Sequence, residues 1–265
     1  MRPDFPITLE ITPPASPRRV VLLRRAALLG GPGRRVNVIH RPERWSSLEA
    51  SIVLRELGFE SVWHLANRGR GIAEIEEDIA RASQAGLQHV LCVRGEHKAE
   101  DHVDTPKIRE VVRQLRRGLP AAHVSVTLNH HGRPSRVVAN LAGKLDAGAH
   151  GVQTQVTFDL VSLGAYAELI KVRWPEVVIT PMLMPVLSAR SAVRLSRRLA
   201  IPLPAGLLHR LEVFGADAGW EHFGAFARAI AESPLYAGLA VMTPIDPDPH
   251  FAARLRSVLG SAVTG

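Results

Sequence analysis

The sequence predicts an α/β chain, a single (β/α)8 TIM barrel with an extra helical segment between strands 7 and 8. Two observations predict it. Eight short runs rich in β-branched residues recur along the 265 residues, and each is followed by a longer stretch of helical period. That count and total length fit one closed barrel of eight parallel strands. In addition, no Gly-x-Gly-x-x-Gly turn follows the first run, which weighs against a doubly wound open sheet. No linker or low-complexity segment interrupts the pattern, so residues 1–265 are expected to form one domain.

Taken in order, the first strand is "ITLEITP" (7–13) and the second "RRVNVIH" (34–40), with the glycine-rich "GGPGRR" (30–35) read as the loop before it. "ESVWHLA" (60–66) and "HVLCVRG" (89–95) follow as the third and fourth. Between these two lies "GIAEIEEDIARASQAG" (71–86), where Ile72, Ile75, Ile79 and Ala82 share one helical face. It opens on Glu74, Glu76, Glu77 and Asp78 and stops at Gly86, as the helix dipole and C-cap preferences demand. "PKIREVVRQLRRG" (106–118) repeats that design ahead of "HVSVTLN" (123–129) and "GVQTQVT" (151–157). "VVITPMLMP" (177–185) is the seventh strand, "SARSAVRLSRRLA" (188–200) its helix, and "AGLAVMTP" (237–244) the eighth strand. Residues 201–236 are the surplus segment, expected to form a lid over the barrel mouth or a subunit contact.

Composition narrows the function classes. The formal charge of +8 suits anionic ligands, yet the basic residues are dispersed and aromatic residues make up only 5%, leaving few platforms for stacking bases. Nucleic acid is therefore not an expected partner. Cys92 is the only cysteine, which excludes an intramolecular disulfide and a multi-thiolate zinc site. "VVLLRRAALLGG" (20–31) is interrupted by arginines and too short to cross a bilayer. The opening "MRPDFPITLE" lacks an apolar signal core, so the chain is expected to start near Met1 and to be cytoplasmic. No nucleophile elbow, Walker loop or His-Glu-x-x-His motif occurs. "NHHG" (129–132) would send adjacent strand histidines to opposite faces, so no metal is expected.

In such a barrel, chemistry gathers at the C-terminal ends of the strands. The polar residues there are Glu10, Asn37, His40, His64, Asn67, Arg94, Glu96, Asn129, His130 and Gln155. Glu10 stands out as one carboxylate in an apolar β-branched run: either it points to water from an edge, or burial keeps it protonated as a proton donor. "CVRGEH" (92–97) ends its strand in a turn where Gly95 permits close backbone approach. Strand alternation in "QTQVTFD" (153–159) puts Gln153, Gln155 and Thr157 on one face, suited to hydrogen-bonding a polar heterocycle. Asn140 and Lys144 lie four apart on one helix face.

These strand ends resemble the methylenetetrahydrofolate reductase family. "LEITPP" is similar to the family's Phe-Glu-Phe-Phe-Pro-Pro start, "WHLANR" to its Pro-His-Leu-Thr segment and "CVRGE" to its Leu-Arg-Gly-Asp. "NLAGKLDAGAHGVQTQVTFD" is similar to its Asn-Leu-x-x-Lys-x-x-Ala-Gly-Ala…Thr-Gln-x-x-Phe-Asp, and "PMLMPV" to its Pro-Gly-Ile-x-Pro-Val. The matches run in order from residue 7 to about residue 215. The resemblance implies a barrel enzyme that reduces 5,10-methylenetetrahydrofolate to 5-methyltetrahydrofolate. On that reading Glu10 is the catalytic acid that protonates N10 and opens the imidazolidine ring, after which a hydride reaches the methylene carbon. Glu96 and Gln155 would hydrogen-bond the pterin, and Phe214 would stack on an aromatic ligand unless it serves the core. His64, Arg94, Gly95, Asn129, Asn140 and Lys144 would contact the cofactor.

The sequence departs from the family where flavin is held. "NHHGRPSRVVA" is several residues shorter than the usual loop, lacks its tyrosine, and has Val137 or Val138 where an acidic contact is expected. Met182 replaces the family's glycine in "PMLMPV". The departures resemble the short flavin-independent branch of mycobacterial type, in which NADH gives its hydride directly. An FAD-dependent reductase is the alternative, and a tetrahydrofolate-binding methyl-transfer or regulatory barrel is the second alternative.

Overall fold

The eight expected strands form one closed barrel in chain order, every neighbouring pair parallel and β8 closing onto β1. The computed structural model describes residues 5–29, 35–95 and 105–264. In chain order the first half comprises β1 (Ile7–Ile11), α1 (Arg19–Leu29), β2 (Arg35–Val38), α2 (Ser47–Glu56), β3 (Glu60–Ala66), α3 (Ile72–Gln84), β4 (His89–Val93) and α4 (Ile108–Gly118). The second half comprises β5 (His123–Leu128), α5 (Pro134–Leu145), β6 (Gly151–Val156), α6 (Leu160–Arg173), β7 (Val178–Leu183), α7 (Ala189–Leu199), α8 (Ala205–Glu232), β8 (Leu239–Val241) and α9 (Pro249–Thr264). The surplus segment between strands 7 and 8 is thus the long helix α8.

Local chemistry starts and stops these elements. Gly71 N donates to Glu74 Oε2 at 2.8 Å at the head of α3, and Asp159 Oδ1 accepts from Val161 N and Ser162 N at the head of α6. Pro134 opens α5, where its missing N–H costs nothing. Ile75, Ile79 and Ala82 bury the expected face of α3, while Ile72 in its first turn is exposed.

The strands divide their side chains between two environments. Leu9, Ile11, Val36, Val38, Trp63, Leu65, Val90, Cys92, Val124, Val126, Leu239 and Val241 point outward into the main core under the helices. Each such buried side chain contributes roughly 1.5–3 kcal/mol. Alternation sends Glu10, Asn37, His64 and Gln153 to the barrel axis, and all four are buried. This interior is far more polar than the branched aliphatic layers that usually fill such barrels.

One strand breaks the expected alternation. On β6 the register with β7 passes from Gln153↔Thr180 to Val156↔Met182, so three residues oppose two and a bulge occupies Thr154–Gln155. The Thr154 hydroxyl accepts from Met182 N at 3.1 Å, replacing a ladder bond. Gln153, Gln155 and Thr157 therefore do not line one face as their even spacing suggested.

Candidate active site

Glu10 lies near the end of β1, 6% exposed, with Asn37 as its register partner on β2. Burial drives its carboxyl from an ordinary 4.5 up to about 8, against the opposing pull of Arg41. Among the described residues no cation stands within ion-pair distance of it. Near neutral pH the group is a buried neutral acid. The sequence left two readings of Glu10 open, and the geometry is that of the buried one.

His64, two-thirds of the way along β3, is also buried, with its Nε2 unpartnered. Desolvation first, and the charge of His40 second, lower its pKa to about 3, so the ring is neutral. It lines a cavity of about 300 Å³ with His40, Arg41, Arg44, Ser47 and Arg70. Just past it, Asn67 lines a second cavity of about 400 Å³ with Arg94, Lys107, Arg109, Asn140 and Lys144. Among the described residues no carboxylate lines this second cavity. Lys144 Nζ donates to Thr127 O at 3.1 Å, and burial pulls its pKa below the ordinary lysine value. Asn67 Nδ2 donates to Pro106 O, while its Oδ1 is buried without a partner. A basic hollow with an unused acceptor on its wall suits an anionic ligand that also carries hydroxyl or amino donors.

The remaining expected residues fall as follows. Gly95 has φ +85°, and a Cβ there would meet Ala66 Cβ at 3.2 Å, so the turn after β4 requires glycine. Asn129 is exposed, and its Oδ1 accepts from His131 N at 3.1 Å, holding a turn outside both cavities. His130 and His131 lie past the end of β5, and that turn brings their rings to 4.0 Å instead of opposite faces. Among the described residues no cluster could hold a metal ion. Gln155 is half-buried in the β6 bulge, its Oε1 accepting from Val156 N at 2.9 Å. Glu96 lies outside the described residues.

Over the β6–β8 side of the mouth the surplus segment builds an apolar roof. Ile201, Leu207 and Leu211 pack on Val156, Phe158, Met182, Val186 and Ala240 in a second buried cluster. Met182 thus belongs to this roof. Gly219 of α8 approaches so closely that a Cβ would meet Val186 O at 2.0 Å, which fixes the helix against the end of β7. The helix kinks at Gly215, and Arg210 and Glu221 pair across the kink at 2.6 Å. Phe214, beside that kink, is 63% exposed, so it is not a core aromatic. A groove of about 660 Å³ between α8 and α9 lies on outer helices away from the strand ends.

A family model described as methylenetetrahydrofolate reductase matches residues 4–229, most of the chain and every strand end described above except that of β8. The chain belongs to that family. Among solved structures it is similar to a chain of a cube-shaped, highly porous protein cage designed by fusing symmetric oligomeric domains. Identity there is 11%, with a TM-score of 0.50 over 98% of this chain and 73% of that one, a likeness of fold alone. Among the described residues no helix is long and apolar enough to cross a membrane.

Of the residues expected at the cofactor, Arg94, Asn140 and Lys144 line one cavity, and sequence reasoning did not name Lys107 at the N-cap of α4, Arg109 in its first turn, or the buried pairing of Asn37 with Gln153. Lys107 and Arg109 carry no motif. The Asn37–Gln153 pair joins residues far apart in the chain, and only the inward parity of each strand hinted at it.

Proposed function

We propose that this protein reduces 5,10-methylenetetrahydrofolate to 5-methyltetrahydrofolate, with NADH as the direct hydride donor and Glu10 as the acid. The observation that carries the reading is the Glu10 carboxyl, buried near the end of β1 and pushed up to about 8, in a barrel whose β3 and β4 ends carry a basic cavity. A neutral Glu10 gives its proton to N10 of the folate, the bond from N10 to the methylene carbon breaks, and the remaining iminium accepts a hydride at that carbon. When bound, NADH would supply the hydride and become NAD⁺, and solvent would return a proton to Glu10. Glu96 and Gln155 orient the pterin, and Phe214 stacks on an aromatic ligand. Arg94, Asn140 and Lys144, joined by Lys107 and Arg109, hold the anionic dinucleotide, with His64 and Gly95 at its reactive end and Asn129 shaping the neighbouring turn. The apolar roof over β6–β8 keeps water from the iminium.

The deciding experiment is the visible spectrum of the purified protein with and without added FAD, paired with NADH oxidation in the presence and absence of methylenetetrahydrofolate. The expected result is a colourless protein that oxidises NADH only when the folate is present. A yellow protein bleached by NADH alone makes FAD the hydride carrier. A colourless protein that binds tetrahydrofolate without turnover makes the barrel a folate-binding or methyl-transfer protein.

A further inference from the structure

The β1–β2 register sets Glu10 beside Asn37, on strands about 4.8 Å apart. The alternation that turns Leu9, Ile11, Val36 and Val38 toward the helices turns both polar residues to the axis. Asn37 is 1% exposed, and its Nδ2–H donates across the barrel to Gln153 Oε1, itself buried, at 3.2 Å. That bond fixes the amide plane and leaves Asn37 Oδ1 buried with no partner. A buried carbonyl oxygen without a donor is costly and uncommon. The neighbouring Glu10 is an acceptor when ionised and a donor when protonated, so only its neutral form can satisfy that oxygen.

We propose that Asn37, held by Gln153, is the positioning residue of the acid: its Oδ1 accepts the O–H of the Glu10 carboxyl until a substrate nitrogen takes that place. No covalent bond changes while the acceptor is exchanged, and the proton leaves Glu10 only in the transfer to substrate. The amide thereby works with burial in holding Glu10 protonated. Among the described residues, Arg41 on the loop after β2 acts on Glu10 and opposes the neutral form. His40 on that loop and neutral His64 on β3 are titratable groups of the neighbouring strands, and Arg25 of α1, paired with Asp246, reaches Thr12 O at the same strand end. β8 contributes the uncharged Leu239–Val241, and Thr243 Oγ1 donates to the Glu10 backbone carbonyl. The inference rests on Glu10 as the acid and is the same whichever carrier supplies the hydride.

Infrared difference spectra of the ligand-free protein, recorded across the titration of Glu10, test it. Glu10→Gln assigns the protonated-carboxyl band by its loss. Asn37→Leu, similar in volume but without an acceptor, is expected to move that band to higher frequency. Asn37→Asp, nearly isosteric and the safer variant for folding, is expected to split the titration into two steps as two carboxyls share one proton. Gln153→Leu, which only frees the amide, is expected to give a smaller, broadened shift. A band and titration left unchanged by both Asn37 variants would overturn the proposal. A shifted band in a protein that reduces no folate upholds the positioning role and removes the reductase reading, whereas folate reduction with an unmoved band does the reverse.

Discussion

At the floor of the barrel, where the strands begin, His89, His123 and His150 stand in a row with ring centroids 6.1 and 5.2 Å apart, beside the Arg35–Glu60 pair at 2.9 Å. At the mouth, where the strands end, Glu10, Asn37 and His64 are turned to the axis and Asn67 lines the basic cavity. Both ends are rich in titratable groups, yet they are settled differently. His150 Nδ1 accepts from Val124 N at 3.0 Å, Arg35 and Glu60 neutralise each other, and no floor side chain among the described residues is buried and unpartnered. The mouth leaves Asn37 Oδ1, His64 Nε2 and Asn67 Oδ1 buried without partners. A cluster that satisfies itself needs no ligand to explain it, while one that leaves several polar atoms unmet has places for a ligand, or for a proton on a neighbouring acid, to fill.

The sharpest way to break this contrast is at Glu10. Glu10→Gln should lower kcat by 10²–10⁴, the usual worth of a general acid, while tetrahydrofolate still binds in a titration. Full activity in that variant would remove the acid assignment. The same substitution should raise stability at pH 8 relative to the parent by a few kcal/mol. The unfolded carboxyl ionises above 4.5 while the folded one holds its proton to about 8, so its favourable contribution is complete below 4.5 and is lost as pH rises through 8.

Next in size is the basic cavity. Arg94→Ala should raise KM for NADH roughly ten- to a hundredfold with kcat little changed, in keeping with the loss of one charge-assisted contact. An unchanged KM would move the dinucleotide elsewhere.

The floor should answer to acid instead of to ligands. Burial, with Arg35 and neighbouring imidazoles adding to it, lowers His89 and His123 from 6.5 to about 4. The unfolded chain takes up those protons first, so stability is complete above about pH 6.5 and is lost as pH falls toward 4. His64 and His130, both lowered to about 3 chiefly by burial, add to the same slope. Urea midpoints measured at pH 7.5 and 5 should therefore fall in the parent and fall less in His89→Gln/His123→Gln. An equal fall would locate the acid sensitivity at the mouth alone. Smallest of all, Arg35→Gln removes a partly exposed pair and should change stability by about 1 kcal/mol or less and kcat/KM not at all.

How far the sequence could be read follows from the range over which each signal acts. Strand order, helix faces and the barrel itself were legible because alternation, 3.6-residue periodicity and capping are local, as in Ile75, Ile79 and Ala82 of α3. Glu10 was visible as a polar residue out of place, and "CVRGE" and Asn140 with Lys144 as strand-end and helix-face patterns. Local pattern could not decide whether Glu10 met water or protein, because edge and closed barrel share one sequence signature until β8 pairs with β1. It could not foresee the β6 bulge, since even spacing in "QTQVT" says nothing of what the opposing strand offers. Nor could it join Asn37 to Gln153, more than a hundred residues apart, because contacts across a barrel axis depend on register accumulated through every intervening strand. Residue type and spacing set which side chains reach the interior. Closure of the sheet set which of them meet and which are desolvated.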